Sequence, residues 1–168
     1  LHQAGYRTAH IGKWHLGEPP DYPEPRKQGF DYFFGLHSGL PNSGWQKYAR
    51  YLDPEIVVNE NRPVVYKGHA TDIQTQAALD FLEKTGSDRP FFLNLWYNAP
   101  HEPLAPFEYQ AELYGDWSLA EQVYFQSVTD LDRSVGRILQ KLKAMRIGDR
   151  TMVVFLSDNG PAPHFNRY

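Results

Sequence analysis

Apolar residues fall into two kinds of pattern along this chain. Residues 90–97 (PFFLNLWY) and 151–157 (TMVVFLS) are nearly continuous apolar runs. Such runs read as strands covered on both faces, as in a parallel sheet. Residues 7–12 (RTAHIG) read as a shorter strand, and 30–36 (FDYFFGL) as an aromatic strand, buried or at an edge. Residues 56–59 (IVVN) and 64–67 (VVYK) are short β-like runs, and the turn between them predicts a hairpin. Two stretches have helical spacing instead. Residues 71–85 carry Ile73, Ala77, Phe81 and Leu82 on one stripe, and Gly86 stops them. Ser118 opens a longer helix reaching Met145, with the stripe Val123, Val128, Leu131, Val135, Ile138, Leu142 and Met145. Glu121, three residues after Ser118, completes a capping box.

Strand, helix, strand, helix, strand is the order of an α/β fold, a mostly parallel sheet flanked by helices. Pro19, Pro20, Pro23, Pro25 and Gly29 exclude helix and central strand from 18–29. Residues 37–53, rich in Gly, Pro, Asn and Ser, read as a long surface loop of the kind that often carries function. No repeat, low-complexity segment or internal boundary divides the chain. Leu1 to Ala4 read as the last turn of a helix, with Gly5 just past its end. There is no initiator Met, and Tyr168 follows an apolar strand by a few residues. Residues 1–168 are therefore expected to be part of one domain, truncated at both ends.

Composition narrows the function. The chain has 168 residues, 41% hydrophobic and 15% aromatic, which suits a folded domain rather than a disordered one. A formal net charge of −3 and the lack of any Lys/Arg run leave no basic footprint for nucleic acid or anionic membrane. No apolar stretch reaches the ~20 residues of a membrane span. With no cysteine, a disulfide, a thiolate zinc site and a thiol nucleophile are all excluded within these residues.

Three polar clusters follow three apolar strands: Lys13-Trp14-His15, Pro100-His101-Glu102-Pro103 and Asp158-Asn159-Gly160. Ligands of open α/β sheets bind outside the carboxyl ends of the strands. Asp158 and Asn159 offer hard oxygen donors, suited to calcium or magnesium, although the tripeptide by itself reads first as an ordinary strand-end turn. If the chain stays extended, Lys13 and His15 point the same way. Lys13 would present a point charge to an anionic oxygen and His15 would hydrogen-bond or move a proton. The plainer alternative is an exposed Lys and a His packed beside Trp14. Pro100 and Pro103 would stiffen the loop that carries His101. His10 reads as a strand residue, His164 and Glu102 as outside candidates, and Trp45 and Tyr48 as aromatics for stacking on a ring or on the domain itself.

These motifs resemble the sulfatase family of the formylglycine-dependent type. Gly5-Tyr6-Arg7-Thr8 through Gly12-Lys13-Trp14-His15-Leu16-Gly17 is similar to that family's second signature. Gly29-Phe30-Asp31 with Phe34-Gly35 is similar to the segment after it. Residues 90–103 resemble its central strand and His loop, 130–139 (DLDRSVGRIL) its long helix, and Ser157-Asp158-Asn159-Gly160 its metal-binding strand end. The resemblance runs through nearly the whole chain in order, except over residues 37–67.

The resemblance implies an alkaline phosphatase/sulfatase-like fold, seen here as an incomplete N-terminal catalytic domain, and a sulfuric ester hydrolase. Lys13 would contact a sulfate oxygen. His15 would hydrogen-bond the nucleophile. His101 would contact the sulfate and the bridging ester oxygen, as general acid. Asp158 and Asn159 would be two ligands of one Ca2+. The family's nucleophile, a formylglycine made in a Cys/Ser-x-Pro-x-Arg motif, has no counterpart here and is expected upstream, with a further Asp pair of calcium ligands. A further Lys is expected downstream. The 168 residues alone are therefore expected not to turn over sulfate esters. The partner implied is a small-molecule or carbohydrate sulfate ester, and the compartment periplasmic, secreted or lysosomal. Two other readings stand beside this one: a phosphatase, phosphodiesterase or phosphonate hydrolase of the same superfamily, and a non-catalytic binding protein with this fold.

Overall fold

The computed structural model describes residues 1–16, 24–37, 51–59, 61–101, 104 and 112–160. A first 3-10 turn, His2–Ala4, ends at Gly5, whose φ of 80° is a left-handed conformation that glycine takes without a Cβ penalty. The elements that follow are β1 (Arg7–Lys13), β2 (Tyr32–Leu36), the hairpin strands β3 (Glu55–Val58) and β4 (Val64–Val65), α1 (Ala70–Thr85), β5 (Phe91–Trp96) and α2 (Leu119–Ala144). The sheet order is β4-β3-β2-β1-β5. β2 and β5 flank β1 and both run parallel to it. The expected hairpin joins beyond β2 and makes the sheet mixed. The proline-rich stretch does hold one 3-10 turn, Pro25–Gln28. Proline is tolerated at its first position because the N–H it lacks would have no partner there.

β1 lies between β2 and β5, and its alternate residues feed two cores. Ala9 and Ile11 face Phe34, Leu36 and Ile56 together with Ala77, Ala78 and Phe81 of α1. The opposite face gathers Trp14, Phe33, Val57 and Phe30. The expected stripe of α1 holds, since Ala77, Phe81 and Leu82 are buried. Its N-cap is His69, whose Nδ1 accepts from the Thr71 N–H at 3.3 Å.

Two expectations are corrected. The capping box of α2 forms as expected at Ser118 and Glu121. Of the predicted stripe, however, only Leu142 is fully buried, and Val128 is exposed. What α2 buries instead is largely polar: Gln126, Ser127, Asp130 and Ser134. α1 likewise buries Thr71, Gln74 and Thr75; Thr75 Oγ1 donates to the Thr71 carbonyl at 2.6 Å and the Gln74 amide to the Asn98 side chain at 3.0 Å. The second correction concerns 151–157, which forms no strand. Phe155 is 72% exposed and Leu156 73%. An apolar run becomes a strand only beside a neighbour that takes its backbone hydrogen bonds. No strand among the described residues pairs with it, nor with the outer edge of β5. Nor is β5 covered on both faces: Phe92 and Trp96 stay partly in solvent.

Candidate functional site

β1 and β5 are neighbours in register, with Gly12 opposite Trp96. Being parallel, they end at one edge of the sheet. Lys13 follows Gly12 there, and His101 lies in the loop after Trp96. The fold therefore brings two of the three polar clusters to a common edge.

Gly12 is what lets β1 reach that edge. Its φ is 108°, and a Cβ there would overlap the Trp96 carbonyl. A Cβ at Gly35 would in turn overlap the carbonyl of Gly12, so three strands approach closely at this level. Lys13 is half-buried and pairs with Leu36 across to β2, and the Leu36 carbonyl accepts from the Trp14 N–H at 2.9 Å. His15 is exposed, with φ at 53°. The strand thus ends at Lys13 and the chain turns, so the expectation that an extended backbone points Lys13 and His15 the same way does not apply. A left-handed His is uncommon, and such backbone strain clusters at functional sites.

Sequence reasoning missed His10. It is fully buried in an aromatic box of Trp14, Phe30, Phe33 and Trp96, with ring centroids 4.9 to 5.8 Å away. Its Nε2 lies 3.0 Å from the Lys13 carbonyl, which can only accept, so Nε2 carries the proton. Nδ1 then accepts from the Asn94 amide at 3.1 Å. The ring is a neutral strut between β5 and the end of β1. Burial pushes its pKa down to about 4, although the bond to the Lys13 carbonyl works the other way. The available signal was the alternation of β1: His10 shares a face with Thr8 and Gly12, opposite Ala9 and Ile11.

His101 is exposed, but its backbone is tied down. Its N–H donates to the Asn98 carbonyl at 2.8 Å, and its carbonyl accepts from the buried Tyr51 hydroxyl at 2.9 Å. The Gln74 amide of α1 donates to the Asn98 side chain at 3.0 Å. Tyr51 stacks on His69 at 5.2 Å. Asp130 of α2 approaches His69 Nδ1 at 3.7 Å, beyond hydrogen-bond reach. Because Nδ1 already accepts from Thr71 and burial lowers His69 to about 4, that ring is neutral and the approach is not an ion pair.

Asp158 and Asn159 are exposed and lie outside the sheet, after the unpaired 151–157 segment. Their surroundings are local: Ser157 Oγ donates to the Asn159 carbonyl at 2.6 Å. No strand among the described residues carries them to the sheet edge that Lys13 and His101 share. Among the described residues no group of three or more His, Cys, Asp or Glu forms. Glu102, His164, Trp45 and Tyr48 lie outside the described residues.

The family model for Sulfatase matches residues 1–167. An uncharacterized sulfatase of Escherichia coli K12, YdeN, is 34% identical over 182 residues, covering 93% of this chain and 31% of that protein. Human N-acetylgalactosamine-6-sulfatase is 36% identical over 176 residues, covering 96% of this chain and 32% of that protein. In fold, the chain is similar to the crystal structure of Ps i-CgsB in complex with k-i-k-neocarrahexaose, with a TM-score of 0.70 and 28% identity. That match covers 86% of this chain and 35% of that one. The chain thus spans about a third of the length of the curated relatives it matches.

Proposed function

Since the chain belongs to the sulfatase family, we propose that the whole protein is a sulfuric ester hydrolase and that residues 1–168 form part of its one catalytic domain. The observation that carries this reading is the edge shared by Lys13 and His101, at the carboxyl ends of two adjacent parallel strands. Lys13 binds a non-bridging sulfate oxygen, where negative charge gathers as the ester bond breaks at sulfur. His101 gives a proton to the bridging oxygen as it departs, a step typically worth ~100- to 10,000-fold in rate. His15, one residue beyond Trp14, hydrogen-bonds the nucleophile, which is expected outside these residues. His10 takes no part in proton transfer: both ring nitrogens are engaged, and it holds the carbonyl of Lys13 in place.

Asp158 and Asn159 fit a calcium site in part. Both are exposed and offer oxygen donors, the type of which calcium takes about six to eight. The remaining donors must come from elsewhere, since no larger acidic or His group forms among the described residues. When bound, such a cation would neutralise charge on the sulfate oxygens.

The relatives point to the substrate class. One is named N-acetylgalactosamine-6-sulfatase, and the solved relative holds a carbohydrate, k-i-k-neocarrahexaose. A sulfated sugar is therefore the proposed natural substrate. The test pairs para-nitrophenyl sulfate with para-nitrophenyl phosphate on the purified full-length protein, with a sulfated hexosamine as a third substrate. The expected result is a preference for sulfate over phosphate of at least about 100-fold in kcat/KM. A preference for phosphate would overturn the reading in favour of a phosphatase of the same fold. Inactivity on all three would favour a binding protein.

A further inference from the structure

The loop that carries His101 is fastened to α1 at more than one point. Tyr97 OH lies 2.9 Å from Thr75 Oγ1, and the Gln74 amide donates to the Asn98 side chain at 3.0 Å. The Asn98 carbonyl then accepts from the His101 N–H at 2.8 Å. These bonds fix the loop from below, through the first two turns of α1. The last tie comes from another part of the chain. Tyr51, only 4% exposed, donates its hydroxyl to the His101 carbonyl at 2.9 Å.

Tyr51 is itself held. Its carbonyl accepts from the Ala70 N–H at 2.6 Å, at the first residue of α1. Its ring stacks on His69, the N-cap of the same helix, and packs with Ala70 and Ala99. The hydroxyl therefore meets the His101 carbonyl from a fixed base. A phenol buried this deeply needs a partner, and burial pushes its pKa up, so it stays a donor across the whole working range. Nothing in the packing of the Tyr51 ring requires the hydroxyl, because a phenylalanine would fill the same volume.

We propose that Tyr51 is a positioning residue for His101: its hydroxyl, donated to the His101 carbonyl from the base of α1, sets the place from which the imidazole reaches the bridging oxygen of the sulfate ester. The proposal rests on the role given to His101 under the proposed function. Tyr51 touches no reacting atom and acts only through the loop.

The experiment uses the full-length protein and two aryl sulfates, para-nitrophenyl sulfate and phenyl sulfate. A misplaced general acid matters most when the leaving group is a poor one, as phenol is. Tyr51→Phe should lower kcat on phenyl sulfate about 10-fold, the scale of a small displacement of a catalytic group, and on para-nitrophenyl sulfate only about two-fold. KM and the melting temperature should barely move. A purely structural role would slow both substrates alike, in step with lost stability, and that result would overturn the proposal. So would an unchanged rate on phenyl sulfate. Should Tyr51→Phe fail to fold, Gln74→Met loosens the same loop through Asn98 and must show the same dependence on the leaving group. His101→Ala separates the two levels of the argument. If it is severely impaired while Tyr51→Phe and Gln74→Met are not, positioning fails and the role of His101 stands. If His101→Ala is fully active, both fall.

Discussion

Acid should destabilise this protein through His10 in a calculable way. The imidazole is fully buried, neutral, and hydrogen-bonded at both nitrogens. Its pKa is about 4 in the fold against an ordinary value of 6.5. The unfolded chain therefore binds a proton at His10 as pH falls below 6.5, while the native state refuses it until about 4. More protons on the unfolded state means that stability rises with pH in this window. The contribution is fully present above 6.5 and is lost progressively as pH falls towards 4. At about 1.4 kcal/mol per unit, the whole shift amounts to about 3 kcal/mol, of which about 2 kcal/mol is gone by roughly pH 5. His69, also lowered to about 4 by burial, acts in the same direction. A comparison with His10→Gln isolates the first histidine, because every other titration is common to both proteins. The glutamine amide can still donate to the Lys13 carbonyl, but it does not titrate. Urea midpoints of the full-length protein and the variant, measured from neutral pH down to about 5, give the difference. The wild type should lose about 2 kcal/mol more than the variant. Parallel pH dependences would refute the neutral, doubly bonded His10.

Three further outcomes follow from the packing. Gly12→Ala places a Cβ onto the Trp96 carbonyl at a positive φ, and should cost more than about 3 kcal/mol, seen as loss of soluble full-length protein. Ser118→Ala removes the side chain that accepts from the Glu121 N–H, and should lower stability by about 1 kcal/mol in thermal melting with no change in catalysis. The exposed apolar run at 152–156 should make the 168-residue polypeptide bind a hydrophobic dye and self-associate, whereas the full-length protein should protect those amides from hydrogen exchange. Equal exchange in both would show that the run is exposed by design.

What the sequence made legible was what local physics decides. The periods of 7–12, 71–85 and 118–145 gave the right element types, and the capping box placed the start of α2. The placement of Lys13 and His101 after β1 and β5 was legible because a polar cluster after a strand needs only the strand to be recognised. The buried polar layer of Gln74, Gln126, Asp130 and Ser134 was not, because each of those residues is ordinary on an exposed helix face and only the partner helix shows otherwise. His10 escaped for the same reason: its aromatic box is assembled from Trp14, Phe30, Phe33 and Trp96, which lie on different elements. The strand expected at 151–157 shows the converse. Its composition is that of a buried strand, yet composition does not supply pairing, and no strand among the described residues takes its backbone hydrogen bonds.

The most direct test of the central claim, that the carboxyl edge of β1 and β5 is where the sulfate ester reacts, is the steady-state rate of Lys13→Ala and His101→Ala in the full-length protein. The control is Lys67→Ala, which removes an exposed ion pair with Asp53 beside the β3–β4 hairpin. Each of the first two should lose at least about 100-fold in kcat/KM on aryl sulfate, with melting unchanged, and the control should keep wild-type activity. Full activity in both Lys13→Ala and His101→Ala would place the reaction elsewhere and contradict it.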